Sequence, residues 1–371
     1  MLSAHGRSSS GSSASDREPL RSGRLSVPAD PAGFYARSLQ EGFGDGLPLL
    51  PPTEEAVRAQ LDATPYAPSD VICTLAPRHG VATIEAAAVN AAMAGCEPEA
   101  FPLVVAALEA ISEPEFNLFG LATTTSSVFP MLIVNGPSRE RLGIDMAAGC
   151  MGGAAGRGSM TIGRAISLCM RNIGGQLVNQ TSKSVFGQPA RTGLCFAEWE
   201  EVSPWPPLAQ RQGFAASDEV VTVHGGKGTM PLADVHVDDP RELLALIAKS
   251  MAYPLVNKYL EPTAANGEVV LAVNPVWAAR FAKAFPDVAD LQAFLLEHAW
   301  QPIEVWPPDN RRILESRGRV DASGRVFINE RPDQFVVVVC GGQGGLHAIC
   351  LPSWGESRVQ SKAAVRELPG R

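Results

Sequence analysis

The sequence predicts an α/β or mixed α+β fold, with two related α/β halves and a glycine-rich insertion in the first half. Three observations support this prediction. Apolar runs at 130–134, 220–223 and 336–339 are continuous, as in strands that are buried on both faces. Segments with helical spacing of apolar residues lie between these runs. Gly and Pro account for 35 and 30 of the 371 residues, which favours many tight turns over long helices.

The bulk composition indicates a globular chain of two domains, or of one large domain. The net charge is −8 and the Lys and Arg residues are scattered, so we expect no nucleic-acid partner. No run of about 18 apolar residues is present, so we expect no membrane span. The first 15 residues lack the apolar segment of a secretion signal. They are predicted to be disordered, with a transit peptide as the alternative.

The seven cysteines form no CxxC or CxxH pair. An odd number of unpaired cysteines is typical of reduced thiols, and this predicts a cytoplasmic protein. A structural zinc site needs paired ligands at short spacing, so no metal site is expected. The sequence identifies no cofactor.

The predicted elements follow one another along the chain. Residues 1–40 are predicted to be a disordered tail, because their Ser-, Gly- and Arg-rich start cannot bury enough apolar surface. The prolines of Gly44–Thr53 predict an extended segment that ends in a helix cap at Thr53. A helical hairpin is predicted over 83–113. The N-terminal α/β half is predicted over 41–230 and the C-terminal half over 231–371.

A valine-rich strand that runs into x-Gly-Gly-x-Gly occurs twice, as VVTVHGGKG at 220–228 and VVVVCGGQG at 336–344. Each copy is preceded by an apolar strand that ends in an asparagine and a proline turn, at Asn135 and at Asn274. The same order of elements therefore appears twice, which predicts an internal duplication. The alternative is coincidence, since such strands are common in α/β folds.

The loop AGCMGGAAGRGSMT, at 148–161, is the strongest local candidate for a binding site. Its glycines allow backbone N–H groups to approach a ligand. The loop leads into a helix, capped by Ser159 or Thr161, whose N-terminus would attract an anion. The alternative is a tight loop that only lets the helix pack closely. The residues predicted to bind a small anion here are Gly153, Gly156, Arg157, Gly158, Ser159, Thr161 and Arg164.

Three side chains are candidates for catalysis. Cys150 lies in this loop near a helix N-terminus, where the pKa of a thiol falls; the alternative is a small core residue. His224 and Cys340 hold equivalent places in the repeated pattern, so a pseudo-twofold axis would bring base and nucleophile to one cleft. The alternative is that each merely ends a strand. The predicted substrate site is completed by residues of the repeated pattern: Asn135, Asn274, Gly225, Gly226, Gly341, Gly342 and His347.

Four segments carry a resemblance to a known family: GDGLPLLPPT, VNAAMAGCEPEAFPLVVAALEAI, LIVNGPSRERLGI and GSMTIGRAISLCMRNIGG. From about Gly44 to the C-terminus the chain resembles an uncharacterised bacterial family associated with UGSC-motif thiol and selenol proteins. The UGSC tetrad itself is absent, and Ile144–Ala147 and Gly152–Ala154 depart from the pattern expected around the glycine-rich loop. The resemblance implies thiol-related chemistry on a small molecule.

Three hypotheses for function follow. The first is a cytoplasmic enzyme that binds a small anionic substrate and uses Cys150 or Cys340, with His224, in a redox or lyase reaction. The second is a non-catalytic subunit or scaffold whose glycine loops serve packing. The third is a hydrolase in which the GGxG amides form an oxyanion hole. A homo-oligomer or a redox partner protein is compatible with the first hypothesis.

Overall fold

The computed structural model describes residues 18–152, 156–256 and 267–366. Of the predicted disordered tail, 1–40, the structure describes residues 18–40. For these residues the prediction of disorder is wrong. Pro31–Gln40 forms a helix whose N-cap, Asp30, accepts a hydrogen bond from the amide of Gly33. Upstream of that helix, the amide of Ser22 donates to the carboxylate of Glu85 at 2.7 Å. These contacts attach the segment to the folded body.

The described residues form an α/β arrangement, as predicted. The strands are β1 (Val71–Leu75), β2 (Gly80–Thr83), β3 (Phe129–Asn135), β4 (Cys195–Ala197), β5 (Val220–Gly226), β6 (Met230–Ala233), β7 (Val269–Val273), β8 (Trp300–Pro302), β9 (Arg325–Phe327), β10 (Phe335–Val339), β11 (His347–Leu351) and β12 (Gln360–Ala363). The helices are α1 (Pro31–Gln40), α2 (Glu54–Asp62), α3 (Ile84–Ala94), α4 (Phe101–Ile111), α5 (Leu118–Thr123), α6 (Arg157–Asn172), α7 (Leu208–Arg211), α8 (Pro240–Met251), α9 (Pro275–Ala284), α10 (Val288–His298) and α11 (Pro308–Ser316). Among these helices none is long and apolar enough to cross a membrane.

The local signals near the N-terminus are confirmed. Thr53 caps α2 by accepting a hydrogen bond from the amide of Ala56. The predicted hairpin consists of α3, which Gly95 ends in a left-handed conformation with φ of 86°, and α4. Glycine is favoured there because it tolerates positive φ without steric cost. The N-cap of α6 is Gly156, three residues before Ser159 and five before Thr161, the two predicted caps.

Two four-stranded sheets have the same strand order and the same strand directions. In the first, β3 pairs parallel with β4 and antiparallel with β5, which pairs antiparallel with β12. In the second, β7 pairs parallel with β10 and antiparallel with β11, which pairs antiparallel with β6. The two edge strands are exchanged between the halves of the chain. Strand β6 follows the strands of the first sheet in sequence but pairs in the second sheet, and β12 follows the strands of the second sheet but pairs in the first. The predicted C-terminal half, 231–371, therefore supplies an edge strand to the first sheet.

This topology corrects the equivalence that the sequence pattern predicted. Strand β5 runs antiparallel to β3, whereas β10 runs parallel to β7, so the two valine-rich strands are not equivalent. Strand β10 corresponds instead to β4. The amide of Glu198 donates to the carbonyl of Val134, and the amide of Cys340 donates to that of Val273, both at 3.1 Å. Glu198 thus holds the place in the first sheet that Cys340 holds in the second.

The sheets pack face to face, with helices on both outer sides. Alternate side chains of β3 and β4 join one core with α3, α4 and α6, and those of β7 and β10 join another with α8, α9 and α10. The remaining side chains of these strands form a third core that both sheets share. Cys150 and Cys340 belong to this inter-sheet core.

Candidate functional site

A cavity of about 400 Å³ opens at one end of the inter-sheet core. It is mostly apolar, with a few polar groups, which is usual for a small-molecule site. Its walls come from the loop after β3, from β7 and its following residue, from the loop between β10 and β11, and from the start of β11. The lining residues are Ala148, Gly149, Cys150, Met151, Ala272, Asn274, Cys340, Gly341, Gly342, Gly344, His347, Ala348 and Ile349.

The first wall is a turn held by backbone contacts. The amide of Cys150 donates to the carbonyl of Ala147 at 3.1 Å, and the intervening Gly149 has φ of 77°. The amide of Gly341 donates to the carbonyl of Met146 at 2.8 Å, which joins this turn to the opposite wall. The first half of the chain thereby brings Cys150 to the end of the second sheet.

The two thiols that line the cavity interact with each other. The Cys340 thiol donates a hydrogen bond that lowers the pKa of Cys150, and the amide of Gly341 acts in the same direction. The same contact, together with burial, raises the pKa of Cys340 well above its ordinary value. The pair therefore favours a thiolate at Cys150 and a protonated thiol at Cys340. A thiolate is the nucleophilic form of cysteine.

Asn274 and His347 lie on the second wall. The side-chain oxygen of Asn274 accepts a hydrogen bond from the amide of Trp277 at 2.9 Å and caps α9. Its side-chain nitrogen donates to the backbone carbonyl of His347. Asn274 therefore fixes the backbone of His347 relative to the start of α9. The imidazole itself is exposed at the mouth of the cavity.

The start of α6 is not the open anion site that the sequence predicted. The carboxylate of Asp145 accepts a hydrogen bond from the amide of Gly156 at 2.8 Å, so the protein's own anion takes this place. The hydroxyl of Ser159 accepts from the Asp145 amide at 2.7 Å. A Cβ at Gly158 would lie 2.3 Å from the carbonyl of Leu142, which leaves no room for a ligand. The prediction for Gly156, Gly158 and Ser159 is wrong.

The other predicted anion ligands of this segment also point elsewhere. Arg164 forms two hydrogen bonds with the carboxylate of Asp45, at 2.8 and 2.9 Å. Arg157 forms an ion pair with Glu97 at 2.8 Å, and the hydroxyl of Thr161 donates to the carbonyl of Arg157. The two arginines secure α6 to the N-terminal segments, and Thr161 bonds within the helix. Gly153 lies outside the described residues.

His224 is not part of the site, which corrects the predicted pairing with Cys340. Its Nε2 lies 3.1 Å from the carbonyl of Leu351, and Leu351 is opposite Val270 in the ladder. Cys340 bonds to Val273, three positions further along β7, which is roughly 10 Å. Proton transfer needs near-contact or one bridging water, so His224 is out of reach. Burial lowers its pKa to about 4, which keeps the imidazole neutral.

The predicted ligands from the first sheet are structural as well. The side-chain nitrogen of Asn135 donates to the carboxylates of Glu198 and Glu200, at 2.7 and 2.9 Å. Gly225 and Gly226 belong to β5 rather than to a loop. A Cβ at Gly225 would lie 2.6 Å from the hydroxyl of Ser357. These three positions correspond to no part of the cavity.

Of the predicted residues, the structure brings Cys150, Cys340, Asn274, Gly341, Gly342 and His347 together at the cavity. The sequence analysis missed the remaining lining residues. Gly149 and Gly344 had a signal, since each lies within a glycine-rich stretch beside a predicted site residue. Ala148 had a signal as well, because it begins the predicted loop at 148–161. Ala272 and Ala348 had none, because nothing in their sequence context distinguishes them from core positions.

Within the ranges that the structure describes, no three His, Cys, Asp or Glu side chains are placed to hold a metal ion. Comparison of the chain with protein-family models, with curated proteins and with solved structures found no match. The resemblance to the UGSC-associated family therefore stays a prediction.

Proposed function

We propose that this protein is a thiol-dependent oxidoreductase that acts on a small anionic molecule, with Cys150 as the nucleophile and Cys340 as its partner thiol. The single observation that supports this proposal is the hydrogen-bonded Cys150–Cys340 pair inside one cavity, with opposite pKa shifts. A nucleophile with a lowered pKa next to a protonated thiol is suited to disulfide exchange, in which one sulfur attacks and the second resolves.

The reaction is a two-electron exchange with a small disulfide. The Cys150 thiolate attacks one sulfur of the substrate, forms a mixed disulfide and expels the first product as a thiolate. Cys340 then attacks the Cys150 sulfur, and its proton passes to the departing second product. The substrate disulfide is reduced to two thiols, and the protein retains a Cys150–Cys340 disulfide. An external dithiol, free or carried by a redox partner protein, reduces that disulfide by the same exchange.

The proposed reaction also limits the cellular compartment of the protein. A resting dithiol in an accessible cavity needs a reducing compartment, so we place the protein in the cytoplasm. The other described cysteines are free as well, which is compatible with that placement.

Alkylation of the native protein with iodoacetamide over a pH series, read by peptide mass mapping, tests the proposal. We expect Cys150 to react fastest and at lower pH than Cys73, whose thiol has a pKa raised by burial. Treatment with a small disulfide should then produce a peptide cross-linked between Cys150 and Cys340. Cys150→Ser and Cys340→Ser should each abolish the cross-link, and Cys73→Ser should preserve it.

Two outcomes would contradict the proposal. Uniformly slow alkylation of all the cysteines would indicate buried, inert thiols and would favour a scaffold. A Cys150 that adds to unsaturated acids, but never forms a disulfide with Cys340, would favour a lyase.

A further inference from the structure

The second wall of the cavity carries backbone N–H groups without acceptors. We call residues 341–346 the amide loop. The amides of Gly342 and Gly344 donate to no acceptor within the described part of the chain, whereas that of Gly341 is bonded to Met146. Because glycine has no side chain, Gly342 and Gly344 present only backbone to the cavity that they line. Unpaired N–H groups in such a turn are typical binding sites for an oxyanion.

The space beside two glycines of the amide loop is open. A Cβ added at Gly341 or Gly344 would meet no atom within 4 Å, whereas one added at Gly342 would lie 3.2 Å from the Cβ of Ala148. At Gly156, on the start of α6, the same Cβ would lie 2.2 Å from the carbonyl of Gly143. Gly341 has φ of 93°, which other residues rarely adopt, and this conformation turns the chain from β10 into the loop. The positions of Gly341 and Gly344 therefore have free space beside the backbone, while the start of α6 at Gly156 is closely packed.

The charges around the cavity limit the kind of anion. Among the lining residues, His347 is the one that can carry a positive charge, and Arg and Lys do not occur. Phosphates and other dianions are usually held by Arg or Lys, so this wall suits a single negative charge. The polar groups that can take that charge are the amides of the amide loop and the side chain of His347. The other lining residues include the apolar Ala272, Ala348 and Ile349.

We infer that the substrate, a small disulfide in the proposed function, is an aliphatic monocarboxylate. Its carboxylate binds the amides of Gly342 and Gly344 beside His347, and its short apolar body lies along the alanines. This inference rests on the proposed function for one point, that the reactive atom lies at Cys150. The assignment of the carboxylate end depends only on the amide loop, the imidazole and the absence of Arg and Lys from the lining residues.

The comparison of iodoacetate with iodoacetamide on the full chain tests the inference, because the two reagents differ chiefly in the carboxylate. A free thiolate shows no saturation with either reagent, so saturation by the anionic one reports a binding site. We expect alkylation of Cys150 by iodoacetate to saturate with concentration. Propionate and butyrate should protect Cys150 from both reagents, and inorganic phosphate at equal ionic strength should not.

Two variants locate the subsite. Gly344→Ala adds a methyl group at an open position whose φ is not positive, so the chain should fold as before. His347→Gln removes the exposed imidazole. Each should lower the preference for iodoacetate over iodoacetamide roughly tenfold, because the added methyl group obstructs the approach to the Gly344 amide and glutamine does not reproduce the position of the imidazole N–H groups. His79→Asn, the control, removes an exposed imidazole elsewhere at a φ of 55° that Asn tolerates, and should keep the preference.

The failures of the two proposals are distinguishable. If Cys150 reacts fast with iodoacetamide, but iodoacetate does not saturate and propionate gives no protection, the carboxylate subsite is refuted and the thiol chemistry stands. Protection by phosphate as strong as that by propionate also refutes a monocarboxylate site. If no thiol reacts fast with either reagent, the proposed function itself fails.

Discussion

Replacing His224 with glutamine should reduce the loss of stability that acid causes. The His224 side chain lies in β5 with 2% of its surface exposed, and its Nε2 lies 3.1 Å from the carbonyl of Leu351. Burial lowers the pKa of His224 from 6.5 to about 4. A glutamine side chain retains an N–H donor for that carbonyl but does not titrate, so it isolates the effect of the proton.

The lowered pKa of His224 determines whether the free energy of unfolding rises or falls with pH. Between pH 6.5 and about pH 4, the unfolded chain binds a proton at His224 that the folded chain does not bind. The free energy of unfolding therefore falls as the pH falls through this window. At about 1.4 kcal/mol for each pH unit, His224 accounts for a loss of about 3 kcal/mol by the lower end of the window. Below it both states are protonated, and His224 causes no further loss.

Urea unfolding at several pH values, from neutral down to about pH 4, measures this loss. Carboxylates titrate in the same range, so the quantity to compare is the difference between the wild-type and His224→Gln slopes. We expect the variant to be less stable at neutral pH, because the fit is poorer, yet to lose about 3 kcal/mol less on acidification. His79→Asn, at an exposed position, is the control for the replacement of a histidine. Parallel slopes for wild type and His224→Gln would refute a neutral, buried His224.

Three further predictions concern residues outside the cavity. Arg164→Ala should cost about 1–3 kcal/mol in urea unfolding, because its half-buried ion pair is lost, and should leave the alkylation preference unchanged. Glu198→Gln should lower the pKa of Cys340, because the Glu198 charge helps to raise it; the second thiol should then react with iodoacetamide at lower pH. Gly225→Ala should destabilise the protein by about 1–3 kcal/mol in the same unfolding assay, because its Cβ would collide with Ser357. Unchanged stability in Gly225→Ala would contradict the close packing of β5.

The strands and helices were predictable where the pattern is local, and their pairing was not. Apolar runs and caps identify β3, β7, β10 and α3, because each depends on side chains within a few residues. The end of β5 was wrong, since Gly225 and Gly226 were interpreted as a loop. They continue the strand because they pair with Pro130 and Phe129 of β3, and they are glycines because Ser357 and Met131 approach too closely for a side chain. The exchange of β6 and β12 is set by distant pairing partners, which local sequence does not specify.

The same distinction applies to the site. The thiols were found because a cysteine within a glycine-rich stretch is a local signal, and Cys150 and Cys340 both have it. The arginines were misassigned because their charge is visible in the sequence and their partners are not. Asp145 takes the helix start, and Asp45 binds Arg164 from 119 residues away in the chain. Whether a charged side chain is free to bind a ligand depends on its ion-pair partner, which the fold brings from a distant part of the sequence.

The site depends on the difference between two otherwise similar sheets. At the end of β4 the equivalent position carries Glu198, whose carboxylate binds Asn135 at 2.7 Å and the amide of Leu208 at 2.7 Å. At the end of β10 the equivalent position carries Cys340. The equivalent asparagine, Asn274, donates instead to the backbone carbonyl of His347, which follows the amide loop. The first position is thus filled by its own side chains. The second has small residues and remains open for the Cys150 loop, which crosses from the first half. A duplicated framework would supply two equivalent positions, and the cavity lies at the one with the smaller residues.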